Sequence, residues 1–351
     1  MSGGGDSVAL MHLAADWLSS NATPLRRASV LTVDHGLRPG SAREAAATAS
    51  WAKSLGFAAH TLTWRGAKPR SNVEDGARTA RYRLIGDWAL ANGVATVLLA
   101  HTRDDQAETF LLRLGRGSGV DGLSAMRPRA PFPLPGYEAI ALVRPLLGIG
   151  RDELRTDLAA RGAAWLEDPM NQDPRFARVR IRHVLPALEE AGVSTERIAQ
   201  AAKHLARARE ALDAATAEFL ARHARFAPGG HAFLDGAALS AEPREIGLRA
   251  LSAILMRVSG KTYRPRFERL ERLYDELGHP AALTLSGCRI GQAAKESCHF
   301  GTATLEIRRE TPRRPSTLGN APARKKPRPE TAMADAKLPK KRRIIGRLSG
   351  S

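Results

Sequence analysis

Short β-branched runs alternate with helical periodicity through the first half of the chain, and this alternation constrains the fold more than any other feature. The runs and helical stretches are, in chain order, Val8–Leu18 (helix), Ser29–Val33 (strand), Ala58–Trp64 (strand), Glu74–Ala91 (helix), Thr96–Ala100 (strand) and Asp104–Leu114 (helix). Strands that alternate with helices predict an α/β fold with a doubly wound parallel sheet. Such a sheet binds ligands at the carboxyl ends of its strands, so chemistry should be sought in the loops that follow strands.

Local patterns add detail to this domain. The spacing of Leu10, Leu13, Ala14 and Trp17 predicts that they form the apolar, core-facing stripe of the first helix. The run Thr96–Ala100 is apolar and predicts a buried strand. Further along, we expect a loop at Arg127–Gly136, a strand at Ala139–Val143 and a helix at Arg151–Arg161.

The second half of the chain has a different pattern. An alanine-rich, charged stretch at Thr195–Arg225 predicts one long helix. Two helical stretches follow at Arg244–Val258 and Arg264–Leu277, and short strand-like pieces occur at Ala282–Leu285 and Ala303–Arg308. We therefore expect a catalytic domain at 1–190, a helical linker with a small α+β region at 191–310, and a separate tail at 311–351.

The charge of the chain favours a polyanionic partner such as nucleic acid. The formal net charge is +18, from 54 lysines and arginines against 36 acidic residues. Residues 311–351 contain 12 basic and two acidic residues, so residues 1–310 retain a net charge of +8. The tail has no apolar periodicity, and we predict that it is disordered.

Two classes of protein are excluded by the sequence. The longest apolar runs, such as Val94–Ala100, are far shorter than the ~20 residues of a membrane-spanning helix. Cys288 and Cys298 are the only cysteines, and their spacing fits neither a disulfide framework nor a CxxC metal site. These observations predict a cytoplasmic protein without a membrane partner.

The segment Ser2-Gly3-Gly4-Gly5-Asp6-Ser7 directly precedes a predicted helix. Glycines let the backbone approach a phosphate, the serines supply hydroxyl donors, and the helix offers its unpaired N–H groups and positive dipole end. A bare glycine run would more often be a flexible segment, but serines, Asp6 and an amphipathic helix in this order favour a phosphate-binding loop. It is not a Walker A loop, because no lysine follows the last glycine.

A second group of polar residues follows the strand predicted at Thr96–Ala100. Here His101, Asp105 and Glu108 converge near the end of the strand, and the two carboxylates share one helix face. We expect Phe110, Leu111 and Leu114 to point to the other side. Such groups can orient a metal or accept a proton, although acidic residues in a first helical turn also stabilise the helix dipole.

Other polar segments have weaker signals. Residues 34–45 read DHGLRPGSAREA and follow a strand, so they form either a binding loop or an ordinary connection. Arg78 and Arg81 lie three residues apart on a predicted helix and either face phosphate or form a solvated face. The run Arg175–His183 contains five basic positions and Phe176, a composition that suits a nucleic-acid backbone.

Together these motifs resemble the tRNA(Ile)-lysidine synthetases, which belong to the N-type, or PP-loop, ATP pyrophosphatases. The resemblance covers roughly residues 2–190 through the segments SGGGDS, DHGLRPGSAREA, EDGARTARY, HTRDDQAET and RLGRGSG, followed by RPL at 144–146 and WLEDPMN at 165–171. Ordered, correctly spaced motifs are far more specific than any one of them. The sequence departs from the family at Val179, where an asparagine is usual.

The resemblance implies a two-step reaction on the wobble cytidine of an isoleucine tRNA with a CAU anticodon. Its C2 oxygen attacks the α-phosphate of ATP, and the ε-amine of L-lysine then displaces AMP. ATP and Mg²⁺ are implied as cofactors. Ser2, Gly3, Gly4, Gly5, Asp6 and Ser7 would hold phosphate, Arg81 would contact the base or phosphate, and His101, Asp105 and Glu108 would serve the metal, base or lysine.

Two alternatives fit parts of the sequence. A tRNA 2-thiocytidine synthetase shares the phosphate loop, but such enzymes typically carry a CxxC for an iron–sulfur cluster, which this chain lacks. An inactive, basic RNA-binding protein would retain the charge without the chemistry.

One element expected of the fold has no counterpart in the sequence. A strand normally leads into a phosphate loop of this kind, whereas here only Met1 precedes Ser2. We therefore expect the sheet to lack its first strand, leaving two strand edges unpaired, and the natural start to lie upstream of Met1.

Overall fold

The computed structural model describes residues 1–310 except 38, 67, 70, 72, 168–172, 262 and 278–281. The tail 311–351, predicted to be disordered, lies outside the described residues. Arg38 of the DHGLR segment and residues 168–171 of the WLEDPMN segment also lie outside them.

The helices and strands have the following bounds. The helices are α1 (Gly5–Ser20), α2 (Ser41–Ser54), α3 (Val73–Ala91), α4 (Arg103–Leu114), α5 (Val120–Leu123), α6 (Arg151–Ala160), α7 (Ala177–Glu190), α8 (Thr195–His223), α9 (Gly236–Ala241), α10 (Arg244–Ser259) and α11 (Phe267–Glu276). The strands are β1 (Ser29–Asp34), β2 (Ala58–Thr63), β3 (Thr96–Leu98), β4 (Arg129–Pro131), β5 (Ala141–Val143), β6 (Ala224–Ala227), β7 (His231–Asp235), β8 (Leu283–Leu285), β9 (Cys288–Gln292), β10 (His299–Thr302) and β11 (Thr304–Arg309).

The sheet of the first half consists of two parts. Strands β1 and β2 pair in parallel, with Ser29 opposite Ala58 and Asp34 opposite Thr63. Strands β3 and β5 also pair in parallel, and β4 joins β5 in the antiparallel sense. Among the described residues no ladder joins β1 to β3, and the amino group of Met1 donates to the carbonyl of Leu31 in β1.

Two apolar clusters hold both parts of the sheet in one layer. One cluster packs Val8 and Met11 of α1 and Leu154 of α6 against side chains of β1 and β2 and against Ala100. On the other face, Tyr82 and Ile85 of α3 pack with apolar side chains of β1, β2, β3 and β5. Helices therefore cover both faces, which confirms the α/β doubly wound fold.

The second half forms a separate core around an antiparallel sheet. Its strand order is β6-β7-β11-β9-β8, and α10 contributes buried Leu251, Ile254 and Leu255 to the cluster on it. The long helix α8 packs on α4 and α5 on one side and on α10 on the other, so it connects the two halves. This arrangement agrees with the predicted helical and α+β region.

Several local predictions were wrong. Of the stripe predicted on α1, Leu10, Leu13 and Ala14 are partly buried against the core, but Trp17 is 64% exposed, and Val8, Ala9, Met11 and Leu18 are the buried residues of the helix. Strand β3 is shorter than predicted, and Leu98 is 45% exposed because its edge is unpaired. The separation predicted on α4 is not among the wrong predictions, since Asp105 and Glu108 are buried and Leu114, expected on the other side, is 51% exposed.

Strand β4 lies within the proline-rich segment predicted to be a loop. A search of the described helices finds none that combines the length and apolar character needed to cross a membrane.

Candidate active site

The segment Ser2–Ser7 forms a tight loop at the amino end of α1. The hydroxyl of Ser7 donates to the carbonyl of Gly4 at 2.9 Å and accepts from the backbone and hydroxyl of Ser2, both at 3.3 Å. Gly4 precedes α1, and no side chain caps that helix end. The first N–H groups of a 16-residue helix are therefore available to an anion, as a phosphate site requires.

Gly3 is the residue of this loop that only glycine can occupy. Its φ is +88°, and a Cβ there would lie 2.7 Å from Leu166 Cδ1 and 2.8 Å from Thr48 Oγ1. Its carbonyl accepts a 2.9 Å hydrogen bond from the N–H of Leu166. Leu166 of the WLEDPMN segment therefore packs against the phosphate loop and is hydrogen-bonded to it. This contact joins two motifs that are far apart in sequence.

Arg151, the first residue of α6, connects the loop to the carboxylates of α4. Its guanidinium lies 3.2 Å from Asp6 Oδ2, 3.4 Å from Asp105 Oδ1 and 3.3 Å from Glu108 Oε1. Burial raises the pKa of Asp6, and the charge of Arg151 offsets part of that rise. Burial lowers the pKa of Arg151, but the charges of Asp6, Asp105, Glu108 and Asp104 outweigh that effect and raise it.

The two carboxylate oxygens of Asp105 have different partners. Oδ2 accepts from the backbone N–H of Thr102 at 2.9 Å and from its hydroxyl at 3.2 Å, which completes a capping box at the start of α4. Oδ1 lies 3.4 Å from Arg151 and 3.3 Å from Arg178. Asp105 thus stabilises the helix end with one oxygen and binds cations of the site with the other.

Glu108 is fully buried and forms ion pairs with three arginines. Arg182 lies 2.6 Å from its Oε1, Arg151 3.3 Å from the same oxygen and Arg178 3.6 Å from Oε2. Burial of a charge is costly unless it is paired. The carboxylate therefore fixes the positions of these guanidinium groups, which come from α6 and α7.

His101 lies beside Arg144, at the carboxyl end of β5. Arg144 Nε donates to Nδ1 of the imidazole at 3.2 Å. Burial lowers the pKa of His101 to about 4, an effect that Asp105 opposes and Arg144, Arg178 and Arg78 reinforce. The ring is therefore neutral at pH 7, and because Nδ1 accepts, the proton resides on Nε2.

Arg78 and Arg81 of α3 add positive charge near Arg178. We call the region bordered by these arginines, Arg144 and His101 the basic cleft. The guanidinium carbons of Arg78 and Arg81 lie 5.0 and 5.7 Å from the ring centre of Tyr82. Burial lowers the pKa of Arg81, and the charges of Arg78 and Arg178 lower it further. Arginines from different helices therefore repel one another around His101, which favours an anionic ligand between them.

The loop after β1 contributes His35. Its ring meets Trp64 edge-on at 6.1 Å, and its pKa is lowered by burial and by the charges of Arg81 and Lys68. Asp34 accepts from the N–H of Gly36 at 2.9 Å. The DHG turn therefore borders the same cleft as Arg81.

The described residues contain no group of three His, Cys, Asp or Glu side chains arranged to hold a metal ion. Asp6 nevertheless places a carboxylate in the first turn of α1, within the phosphate loop. Mg²⁺ commonly binds through one or two carboxylates together with substrate phosphates, and Asp6 fits that mode.

Comparisons with known proteins agree with this geometry. The family model described as a PP-loop domain matches residues 1–188. A tRNA(Ile)-lysidine synthase of Ruegeria pomeroyi is 47% identical over 83% of this chain and 67% of its own length. A tRNA(Ile)-lysidine synthase of Methylobacterium nodulans is 41% identical over 90% of both chains. The chain belongs to the tRNA(Ile)-lysidine synthase family. A protein of that name from Wolbachia pipientis wMel is 37% identical over 83% of this chain and 67% of its own.

Among solved structures, a U34-tRNA thiolase NcsA from Methanococcus maripaludis with its [4Fe-4S] cluster is a distant match. It is 15% identical with a TM-score of 0.49, over 59% of this chain and 71% of that chain. The two cysteines of the present chain are unpaired, and both lie in the C-terminal half.

Within the lysidine synthase fold, the residues predicted from sequence lie around one connected site. Asp6, Asp105 and Glu108 share Arg151, while the charges of Asp105 and Arg178 act on His101. Arg151 and Arg144 were not singled out as site residues. Their signal is positional, because Arg144 directly follows β5 and Arg151 begins the helix that follows, at the carboxyl edge of the sheet.

The family departure at Val179 has a structural consequence. Val179 is 3% exposed on α7, between Arg178 and Arg180. An asparagine at this buried position would offer hydrogen bonds, whereas valine contributes only packing. Arg178 and Arg182 of α7 form ion pairs with Asp105 and Glu108.

Proposed function

We propose that this chain ligates L-lysine to C2 of the wobble cytidine of a tRNA(Ile) with a CAU anticodon, using ATP and releasing AMP and pyrophosphate. The membership of the family supports the reaction, and the connection of Asp6, Asp105 and Glu108 through Arg151 is the observation that carries the site assignment. The reaction takes place in the cytoplasm, where tRNA and ATP occur together.

In the first step the cytidine O2 forms a bond to the α-phosphorus of ATP, and the bond to pyrophosphate breaks. Ser2, Gly3, Gly4, Gly5 and Ser7 bind the phosphates through hydroxyls and the N–H groups at the start of α1. Mg²⁺ would be held by Asp6 and the ATP oxygens and would neutralise charge on pyrophosphate. Arg151 and Arg178 supply further positive charge at the same place.

His101 acts as a hydrogen-bond donor in this scheme. Nδ1 is already occupied by the N–H of Arg144 at 3.2 Å, so Nε2–H is the polar group left for a substrate. A neutral donor beside Arg81 can bind the activated base or its adenylyl oxygen without adding another full charge. Arg81 contacts the base or phosphate from α3.

In the second step the lysine ε-amine forms a bond to C2, and AMP leaves with the electrons of the C2–O bond. Asp105 Oδ1 is the carboxylate oxygen that faces the arginines of the cleft. By charge attraction it orients the lysine ammonium, which loses one proton to solvent water before the free ε-amine attacks C2. Glu108 is fully buried and engaged by three arginines, so it positions those arginines and does not contact lysine.

The C-terminal half offers a surface suited to RNA. Tyr263 is 85% and Phe267 58% exposed, and exposed Lys261, Arg266 and Arg269 flank them. Exposed aromatic rings among cations bind RNA by base stacking and phosphate contacts. This surface supports a tRNA-contacting role for the region.

The deciding experiment combines ATP–pyrophosphate exchange with incorporation of labelled lysine. We expect exchange to require an isoleucine tRNA with a CAU anticodon, and labelled lysine to appear in that tRNA but not in its transcript with a GAU anticodon. Exchange without lysine incorporation, accompanied by uptake of sulfur, would indicate a thiocytidine synthetase. Binding of tRNA without any exchange would indicate an inactive RNA-binding protein.

A further inference from the structure

A cavity of about 380 Å³ lies between the catalytic domain and the long helix α8, apart from the phosphate loop. Its polar lining consists of Gln106, Arg127, Arg144, Lys203, Arg209 and Glu210. Four of these side chains are cations and one is a carboxylate. Lys203 and Arg127 are exposed at its rim, so a ligand can enter from solvent.

The cations of this cavity are poorly neutralised by the protein. Arg127 lies 3.4 Å from Asp213, but Arg144, Lys203 and Arg209 form no ion pair with a carboxylate of the described chain. Asp121 and Asp213 also act on Arg209 through their charges. Both already form ion pairs with Arg249, each at 2.9 Å. The cavity therefore keeps an excess of positive charge.

Within the part of the chain that the structure describes, Arg209 also lacks hydrogen-bond partners for part of its guanidinium group. Its Nη1 donates to the hydroxyl of Ser124. Its Nε and Nη2 are buried, and neither has a hydrogen-bond partner among the described residues. Burial and the charge of Arg127 lower the pKa of Arg209, against the opposing charges of Asp213, Asp121 and Glu210. A buried N–H edge without an acceptor is costly, and Arg209 lines the cavity, so rotation of its side chain toward an acceptor bound there would relieve that cost.

The geometry points to a phosphate group as the ligand of this cavity, and we propose that it is a backbone phosphate of the substrate RNA. The paired N–H groups of a guanidinium match two phosphate oxygens, and Lys203 adds a point charge beside them. The choice of RNA as the source rests on the proposed function. Free phosphate shares the same chemistry, so the experiment must separate the two.

Binding here would be linked to the reaction centre through one side chain. Arg144 lines the cavity, and its Nε donates to His101 at 3.2 Å. A phosphate beside Arg144 would fix the guanidinium that orients the imidazole. Correct seating of the RNA on α8 would thereby position His101.

The test uses the full chain with Arg209→Gln and Lys203→Gln, and with Arg207→Gln as the matched control. Arg207 is an exposed arginine of α8 that does not line the cavity, so it reports the loss of one charge from the same helix. We expect each cavity variant to weaken tRNA binding about tenfold in fluorescence anisotropy at fixed salt, the size typical of a lost hydrogen bond to a charged group. The control should change it less than about twofold.

A second arm measures inorganic phosphate by titration calorimetry. Loss of tRNA affinity in the cavity variants, with weak phosphate binding by the unaltered chain, is the expected result. If Arg209→Gln abolishes phosphate binding but keeps tRNA affinity, the RNA assignment is overturned. If neither cavity variant differs from Arg207→Gln in either arm, the site itself is overturned.

Folding and function are controlled separately. Lys203 is exposed, so Lys203→Gln should fold even if Arg209→Gln does not, and its affinity alone decides the outcome. Labelled-lysine incorporation by the unaltered chain tests the proposed function. If that incorporation is normal while tRNA affinity is insensitive to the cavity, this inference fails and the function stands. If tRNA affinity depends on the cavity but no lysidine forms, the function fails and the site stands.

Discussion

At the scale of single residues, the two oxygens of Asp105 allow its structural role to be separated from its proposed chemical role. Oδ2 caps α4, and Oδ1 faces Arg151 and Arg178. In Asp105→Asn the amide oxygen can keep the cap while the amide nitrogen replaces Oδ1. We expect lysidine formation to fall at least a hundredfold, with a loss of unfolding free energy below about 1 kcal/mol. Near-normal lysidine formation would mean that Asp105 is only a cap.

Glu108→Gln should behave differently, because its carboxylate is buried among three arginines. Removing one partner of a buried ion pair costs about 3 kcal/mol, and Arg182 at 2.6 Å is the closest partner affected. Urea unfolding should therefore show a large loss of stability along with the loss of activity. Equal stability of the two variants would contradict the distinction between positioning and chemical carboxylates.

The pKa of His101 gives a prediction that does not depend on activity. Burial lowers it from 6.5 to about 4, and the charge of Arg144 contributes to the shift. In Arg144→Ala the ring loses a nearby cation and gains solvent, and both changes raise the pKa. NMR titration of labelled histidine should find the His101 resonance titrating near pH 4 in the parent and at higher pH in the variant.

The same shift determines how stability depends on pH. Between pH 6.5 and about 4 the unfolded chain binds a proton at His101 that the folded chain does not. This group therefore destabilises the fold as the pH falls through that window, and has no effect above it.

Arg129→Ala is the matched control for the NMR titration of Arg144→Ala, since Arg129 is an exposed arginine of neighbouring β4. An identical His101 titration in Arg144→Ala would refute the contact.

At the scale of elements, the phosphate loop depends on a backbone shape that only glycine allows. Gly3 combines a φ of +88° with contacts of 2.7 Å and 2.8 Å for any added Cβ. Gly3→Ala must therefore shift the loop against Leu166 and Thr48, and misalign the N–H groups of α1. We expect the KM for ATP in pyrophosphate exchange to rise at least tenfold.

Gly93 provides the control for this substitution. Its φ is +65°, and nothing lies within 4 Å of an added Cβ. Gly93→Ala therefore imposes backbone strain without a steric clash and lies in a turn after α3. It should lower stability by about 1 kcal/mol while leaving the KM for ATP unchanged. A similar KM in both variants would show that the loop tolerates displacement.

The elements predicted well are those that a short local sequence pattern specifies. Strands β1 and β2 are β-branched runs between helices, and the predicted bounds differ by at most one residue. On α1, apolar residues occupy two neighbouring stripes, so periodicity could not choose between Trp17 and Leu18. Strand β4 is three residues long and contains Pro131, and it exists because β5 pairs with it, a contact that no local pattern encodes.

The sequence predicted one part of the candidate site and missed another. The motifs gave His101, Asp105 and Glu108 because they lie together in sequence at a strand end. Arg151 was not identified, because its role depends on the return of β5 to the same sheet edge, over 40 residues after Asp105. The burial of Glu108 could not be predicted either, since acidic residues are rarely fully buried.

At the scale of the whole molecule, Arg249 joins the catalytic half to the C-terminal half. Its side chain is 4% exposed on α10 and lies 2.9 Å from Asp121 of α5, 2.9 Å from Asp213 of α8 and 2.8 Å from Glu245 of its own helix. The contact with Asp121 is an ion pair without hydrogen-bond geometry. One guanidinium therefore neutralises carboxylates from both halves and from the helix between them.

Arg249→Met should uncouple the two halves, because an apolar side chain of similar length leaves three carboxylates without their shared cation. Arg127 and Arg264 also pair with Asp213 and Asp121, so the loss should be moderate, about 2 kcal/mol. We expect calorimetry to resolve two unfolding transitions in place of one, since each half has its own core.

Arg244→Met is the matched control on the same helix. Its pair with Asp275 at 2.6 Å is exposed, so it should cost below about 1 kcal/mol and keep a single transition. A single, unshifted transition in Arg249→Met would mean that apolar packing along α8, and not this ion cluster, holds the halves together.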